Sequence, residues 1–316
     1  MANNINWGKI YESSAWGSGV TNNSIDWGKI YVDDAGGGGA AALLDTYSGA
    51  LVGYSLRKLK SDYTGNAIQV TPDGSNFTDI GFDSNGDLDT ASLPSDSNLY
   101  VSKWYNQTGT AIHDMVNTAF SSMPVIKLSG SVVTVNGKPA VDFEQNPNTF
   151  GRSLAMANLS DQISVTARNL THLAVVELNT ETNLRSYLAI GSSSSKGRME
   201  FRNQYGGALN YSSGGQQWFF GYGGWAVDII DPNIFIITQG DTNGLVKFYQ
   251  NALNPKTNST PITASNNHQL FTLSPANSGP HLSKVKLSEY ILWDSDYDSD
   301  VSDINTAVND YYGTYS

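Results

Sequence analysis

Val133-Thr-Val-Asn-Gly-Lys-Pro-Ala-Val-Asp-Phe143 reads as two short strands folded back around Asn136-Gly137. An Asn-Gly pair suits a two-residue hairpin loop, whose central residues both need positive φ. Outward from this hairpin, short apolar runs keep alternating with turn dipeptides. Strands are expected at Ala50–Leu56, Ala67–Val70, Val132–Val135, Ala140–Phe143, Thr171–Leu178, Tyr187–Ile190, Arg198–Asn203, Ile234–Gln239, Val246–Gln250 and Val285–Trp293. Pro72-Asp-Gly74, Asn85-Gly86, Asp231-Pro232, Asn243-Gly244 and Ser278-Gly-Pro280 punctuate them. One helix is expected over Ser299–Tyr312, where Val301, Ile304, Val308 and Tyr311/Tyr312 recur at helical spacing. Strands with one inner and one outer face predict an all-β, two-layer antiparallel sandwich.

The composition agrees with that reading. Among 316 residues there are 31 Gly and 17 Tyr but only 18 Lys plus Arg, so Asn, Ser and Thr fill many polar positions. Those residues favour turns and pleated surfaces over helix interiors. The net charge of −11 would repel a polyanion, which argues against nucleic-acid binding. With no cysteine, thiol catalysis, disulfides and Cys-based metal sites are excluded. No run of 18 apolar residues predicts membrane insertion. Met1-Ala-Asn-Asn-Ile-Asn-Trp-Gly-Lys9 has no basic stretch followed by an apolar one, so it does not read as a secretory signal. Work outside a cell would then follow from assembly into a particle and lysis.

The first 38 residues carry a repeat. Asn4-Ile-Asn-Trp-Gly-Lys-Ile-Tyr11 recurs as Ser24-Ile-Asp-Trp-Gly-Lys-Ile-Tyr31, with Ala15-Trp-Gly-Ser-Gly19 between them. Two copies are too few for a self-supporting solenoid. Trp7, Tyr11, Trp16, Trp27 and Tyr31 are dense aromatics that need a covering surface. The expectation is an anchor that docks on another protein; the competing reading is two extra strands packed on the main domain. Gly36-Gly-Gly-Gly39 follows as a linker, since Ala40-Ala-Ala-Leu-Leu44 lacks the Lys-Ser/Thr of a phosphate loop. The expected division is residues 1–38, anchor and linker, and residues 39–316, sandwich.

Several stretches resemble a known family. They are Leu43-Leu-Asp-Thr-Tyr-Ser-Gly-Ala-Leu-Val-Gly-Tyr-Ser-Leu-Arg-Lys-Leu59, Asp79-Ile-Gly-Phe-Asp-Ser-Asn-Gly-Asp-Leu-Asp89, Trp104-Tyr-Asn-Gln-Thr-Gly109 and the hairpin at Val135–Val141. Together they resemble the catalytic domain of family-54 α-L-arabinofuranosidases. Lys284-Val-Lys-Leu-Ser-Glu-Tyr-Ile-Leu-Trp293 with Ile304–Tyr312 resembles the closing strand and helix of concanavalin/laminin-G-like domains. The resemblance implies a jelly-roll sandwich over residues 43–312 and a retaining glycosidase with a Glu nucleophile and an Asp acid/base. Such chemistry needs two carboxyls about 5–5.5 Å apart.

By that resemblance Glu200, at the end of Gly191-Ser-Ser-Ser-Ser-Lys-Gly-Arg-Met-Glu200, is the catalytic nucleophile. The acid/base position falls in Ser274-Pro-Ala-Asn-Ser-Gly279, where Ala276 stands instead of Asp. The family's Tyr-Asp-Gln-Ser-Gly segment appears as Tyr105-Asn-Gln-Thr-Gly109, an amide replacing a carboxylate, and the family's cysteines are absent. Unless Asp241 or another loop acid substitutes, the scaffold lacks its proton donor.

Gln216-Gln-Trp-Phe-Phe-Gly-Tyr-Gly-Gly-Trp225 is aromatic and glycine-rich. Trp218, Tyr222 and Trp225, with Asn203, are expected to contact a glycan, rings on sugar CH groups and amide on hydroxyls. The competing reading makes the rings core residues of two strands. Asp83, Asn85, Asp87 and Asp89 have the alternating oxygens of a Ca²⁺ loop without its terminal bidentate Glu; a plain turn is the simpler reading. Of Asp294, Asp296, Asp298 and Asp300, the later ones read as N-caps of the terminal helix. The scattered His113, His172, His268 and His281 have no zinc spacing, so no other metal or cofactor is expected.

The expected function is that of a virion surface protein of spike or fibre type. Its Trp-Gly repeats resemble the N-termini of phage structural proteins. Residues 1–35 would anchor on a capsid or penton-type protein, and the sandwich would bind host-surface glycans, most simply as a homotrimer or homopentamer. The alternatives are an active glycoside hydrolase and a purely structural capsid decoration protein.

Overall fold

The computed structural model describes residues 42–143, 152–156, 163–165, 169–178, 187–190, 196–202, 208–213, 216–220, 232–240, 245–251, 254–257, 268–270, 272–274 and 285–316. Trp7, Tyr11, Trp16, Trp27, Tyr31, Asn203, Tyr222, Trp225, Asp241 and Ala276 lie outside these residues. The two halves of the quoted hairpin pair as expected, Val135 opposite Lys138 and Thr134 opposite Pro139. Asn136 (φ 47°) and Gly137 (φ 78°) make its tip. Both need the left-handed region, which Asn tolerates and Gly adopts freely.

Val285–Trp293 is the central strand of the first layer. On one side it pairs antiparallel with Leu170–Leu178, which pairs with Asn233–Gln239, which in turn pairs with Val246–Gln250. On its other side lie Ala50–Ser55 and Val141–Asp142 in succession. Asp142 also pairs with Val125, so the chain passes from here into the second layer through Val125–Leu128 and Leu99–Trp104. That layer runs from Thr78–Ile80 through Ile68–Thr71, Leu99–Trp104, Met115–Val116, Leu154–Met156, Thr272–Ser274, Tyr187–Ile190, Lys196–Arg202 and Ala208–Ser213 to Gln216–Phe220. All pairings are antiparallel. The all-β sandwich is the fold.

The main core fills the space between the layers, with Tyr54, Ala174, Phe235, Tyr290 and Leu292 from the first meeting Ile68, Val101, Trp104, Met115 and Ile126 from the second. His172 belongs to this layer too, its Nδ1 2.9 Å from the buried Tyr290 hydroxyl. The outer side of the first layer is covered as well. Leu173, Val175, Ile234, Ile236, Ile291 and Trp293 pack against Val301, Ile304, Val308 and Tyr312 of the helix Val301–Tyr312, and against Leu43, Leu44 and Leu59. Strands covered on both faces lose their alternation, which is why Asn233–Gln239 is buried at every position.

The helix begins differently from the expectation. Asp300 precedes it but makes no side-chain cap bond. Asp298 turns away to accept from the Thr238 and Tyr249 hydroxyls at 2.9 and 2.5 Å and pairs with Lys247. A carboxylate gains more from a cation and two hydroxyls than from an exposed helix end. The helix C-terminus is closed by Gly313 (φ 59°) and by Asn136, whose Nδ2 donates to the carbonyls of Tyr312 and Gly313. The hairpin tip therefore caps the helix, satisfying carbonyls that a helix end leaves open. Among the described residues no helix is long and apolar enough to cross a membrane.

Candidate functional site

In the second layer, Ile80, Ile68, Trp104, Met115 and Met156 make one cross-strand row. All five are at most 6% exposed, so this row faces the core. The alternate row, Asp79, Gln69, Lys103, Val116, Ala155 and Thr272, belongs to the outward side. Two residues beyond Thr272 on the same strand, Ser274 starts a parallel row through Ala189, Glu200, Asn210 and Phe219. Glu200 therefore stands in register with Ala189 on one side and Asn210 on the other. Trp218, on the neighbouring strand Gln216–Phe220, pairs with Tyr211.

Strand spacing tests which carboxylates could partner Glu200. Asp79 lies seven strands away and Asp114, just ahead of Met115–Val116, lies four, roughly 34 and 19 Å at about 4.8 Å per strand. A catalytic pair needs at most about 9.5 Å. Neither outward acid qualifies. The chain leaves the Glu200 row at Ser274, two strands or roughly 10 Å from it, and Ala276 follows two residues later.

The described end of the outward face is polar and tightly bonded. The Tyr105 hydroxyl donates to Asp79 Oδ1 at 2.8 Å, and Gln69 Nε2 donates to the same oxygen at 3.0 Å. Ser102 Oγ donates to Gln69 Oε1 at 3.0 Å, orienting that amide. The Lys103 ammonium stands 4.9 Å from the Tyr105 ring centroid. Burial and the Asp79 carboxylate both raise the Tyr105 pKa. Burial also raises that of Asp114, against the hydrogen bond from the Asn106 backbone N–H and the Lys103 charge. A cavity of about 290 Å³ opens beside this end, between Lys60–Gly65 and Gln107–Gly109. Sequence reading missed Lys103, Asp114 and the strand Leu99–Trp104. The signal present was the polar Ser102-Lys103 pair between apolar residues, where a bulge opposite Gln69/Val70 leaves Ser102 without a register partner and breaks simple alternation.

The segment Tyr105–Gly109 is a structural clamp. Asn106 Oδ1 accepts from the Gly53 N–H at 2.9 Å, and its Nδ2 donates to Thr108 Oγ1 at 2.7 Å and the Thr110 carbonyl at 3.2 Å. Gln107 Oε1 accepts from the Leu59 N–H, while its Nε2 donates to the carbonyls of Ser55 and Arg57. Both amides use donor and acceptor ends together, which a carboxylate cannot do. Asn106→Asp is therefore expected to destabilise the fold by about 1–3 kcal/mol at neutral pH, since it buries a charge and orphans the Thr110 carbonyl. The loss should shrink as pH falls and the new carboxyl protonates, regaining a donor. Urea melts at two pH values check this; a pH-independent loss would rule out the charge as its cause.

The four oxygens of Asp83–Asp89 do not converge. Asp83 Oδ1 accepts from the Asn85 and Asp87 N–H groups, Asp87 bonds the Tyr311 hydroxyl and Lys138, and Asp89 bonds Ser92. Among the described residues no group of three His, Cys, Asp or Glu could hold a metal ion. The turn reading fits these contacts.

A second polar cluster is centred on a fully buried carboxylate. Glu289 in the central strand is 0% exposed and forms a bidentate pair with Arg57, Nε to Oε2 at 2.8 Å and Nη2 to Oε1 at 3.0 Å. Ser55 Oγ and the Tyr312 hydroxyl donate to Oε2 at 2.8 and 3.1 Å. Burial alone would lower the Arg57 pKa, but the Glu289 charge and hydrogen bonds outweigh it and the net shift is upward. Three bonds fall on Oε2 and one on Oε1, and they join two strands, Arg57 and the terminal helix in one group that holds elements together.

No family model matches the chain, and no curated protein matches it. Solved structures do. An arabinofuranosidase complexed with arabinofuranosyl-α-1,2-xylobiose superposes with a TM-score of 0.62 at 12% identity, over 86% of this chain and 64% of that one. A Glu→Gln mutant of a GH54 α-L-arabinofuranosidase soaked with 4-nitrophenyl α-L-arabinofuranoside gives 0.62 at 13% identity, over 87% and 65%. A GH54 α-L-arabinofuranosidase soaked with a cyclic sulfate inhibitor gives 0.59 at 12% identity, over 87% and 65%. The chain thus spans just under two thirds of each of these proteins, and the likeness is one of fold.

Proposed function

We propose that the protein binds glycans on the outward face of its second layer, and that residues 1–35 hold it on a virion so that it attaches the particle to host-surface sugars. The observation that carries the binding half is the Asp79–Gln69–Tyr105–Lys103 array. It offers hydroxyl, amide and ammonium groups beside an aromatic ring on one open sheet face, the mixture that sugar hydroxyls and CH groups require. The solved structures of similar fold are named for an arabinose-releasing activity, which makes arabinofuranosyl-bearing glycans the first ligands to try. The anchoring half rests on the Trp-Gly-Lys-Ile-Tyr repeat, and display as a trimer or pentamer belongs to the same proposal.

Hydrolysis is the second reading, with Glu200 as its nucleophile, and the likeness in fold to solved arabinofuranosidases supports it. An array of arabinan, xylan and bacterial-surface oligosaccharides, read with the intact chain, distinguishes them. Binding should appear and fall about tenfold in Lys103→Ala and Tyr105→Ala, the loss of one or two hydrogen-bonding contacts. Release of 4-nitrophenol from the aryl arabinofuranoside, abolished in Glu200→Gln, would instead make the protein an enzyme. An array silent at every sugar would sink the binding reading.

A further inference from the structure

Further along the same outward face, Tyr100, Phe120 and Arg152 form a cluster that the array above does not include. Phe120 is 37% exposed. Its ring meets Tyr100 edge-on with centroids 4.8 Å apart, and the Arg152 guanidinium lies 5.6 Å from the Tyr100 centroid. A single exposed phenylalanine needs no explanation. This one is held in place from several sides.

Phe120 opens the 3₁₀ turn Phe120–Ser122. Asn117 fixes that turn, its Oδ1 accepting from the Ala119 N–H at 2.8 Å and its Nδ2 donating to the Ser122 carbonyl at 3.0 Å. The same Nδ2 donates to the Ser153 carbonyl at 2.7 Å, and the Ser153 N–H donates back to the Ser122 carbonyl at 2.9 Å. The segments bearing Phe120 and Arg152 are thereby stitched together. From below, Gly74 (φ +77°) packs so closely that a Cβ there would sit 2.9 Å from Phe120 Cβ. Asp73 holds the Gly74 turn by accepting from the Asn76 and Ser75 N–H groups, which lowers its pKa to about 2. A depressed carboxylate contributes fully above its unfolded value near 4 and loses that contribution as pH falls through about 2, so the turn stays closed at neutral pH.

Charge selects the ligand. On a chain of net charge −11, Arg57, Lys60, Lys138, Lys247 and Lys286 each have a carboxylate partner among the described residues, while Arg152, like Lys58, Lys103 and Lys127, has none there, and of these four it is the one guanidinium. Its planar fork matches a carboxylate bidentately. Asp73 and Asp79, the acids of the neighbouring turn and strand, already have their bonds.

We propose that Tyr100, Phe120 and Arg152 form a subsite for an acidic sugar, its ring against Phe120 and its carboxylate on Arg152. This names the ligand class for the glycan-binding reading and rests on it. The test is calorimetry of the full chain with oligogalacturonate and with the same oligosaccharide after carboxyl reduction, which differs only in losing the charge. The acidic form should bind about tenfold more tightly, as one added charge-assisted contact allows. Arg152→Gln should erase that preference while leaving the neutral form's affinity unchanged, Arg152→Lys should keep part of it, and Phe120→Ala should weaken both. Equal wild-type affinities, or a preference that survives Arg152→Gln, would overturn the subsite and leave glycan binding standing. Binding of neither form, with the arabinan and xylan array also silent, would remove both.

Discussion

Glu289→Ala should destabilise the sandwich by about 3–5 kcal/mol, the usual cost of removing one partner from a buried ion pair. Four donors converge on this carboxylate, two from Arg57 and one each from Ser55 and Tyr312. Deleting it leaves a guanidinium that is 13% exposed without a counter-charge. Glu289→Gln keeps the shape and one acceptor, so it should lose less. The measurement is the denaturant midpoint at constant slope, which isolates stability from changes in the unfolded chain. A loss below about 1 kcal/mol would put this pair with surface salt bridges instead.

Trp293→Ala is expected to cost a similar amount, about 3–5 kcal/mol, by a different route. The ring is fully buried under the helix Val301–Tyr312 and meets Tyr297 edge-on at 5.7 Å. Its Nε1 donates to the Tyr47 carbonyl at 2.8 Å, tying the short helix Leu43–Thr46 to the same place. Truncation opens a cavity between sheet and helix, so backbone amides of Val301–Tyr312 should exchange faster than those of Leu99–Trp104. Uniform acceleration across both would show that the helix is not an independently loosened layer. Trp293→Phe should keep most of the packing and lose the one hydrogen bond, about 1 kcal/mol.

The first layer was legible because its strands are long and bounded by turn residues. Val246–Gln250 and Val285–Trp293 have the same limits in sequence and structure, and Leu170–Leu178 and Asn233–Gln239 each begin one residue earlier than expected. Leu99–Trp104 was not legible, because a bulge at Ser102 breaks its alternation and Ser102 and Lys103 interrupt its apolar run. The buried pair left one trace, a glutamate inside the otherwise apolar end of Val285–Trp293, whose partner no spacing rule reveals since Arg57 is 232 residues away. The Asp294–Asp300 run reads as helix caps only until Lys247 and Tyr249, brought in by pairing of distant strands, take Asp298. Phe120 and Arg152 likewise belong to segments that only tertiary hydrogen bonds join.

The central strand has a further consequence, for the timing of synthesis. Ala50–Ser55 is paired with Glu289–Trp293, so the first strand of the sandwich waits for the last before its ladder exists. At about 5–20 residues per second, the intervening stretch takes on the order of tens of seconds to leave the ribosome. Through that interval Val52 and Tyr54, destined to be 0% exposed, stand on an unpaired strand edge. Folding dominated by such distant contacts is intrinsically slow. The nascent chain therefore emerges with its amino-terminal repeats complete while the domain behind them is still open, and any partner that meets those repeats early meets an unfinished sandwich.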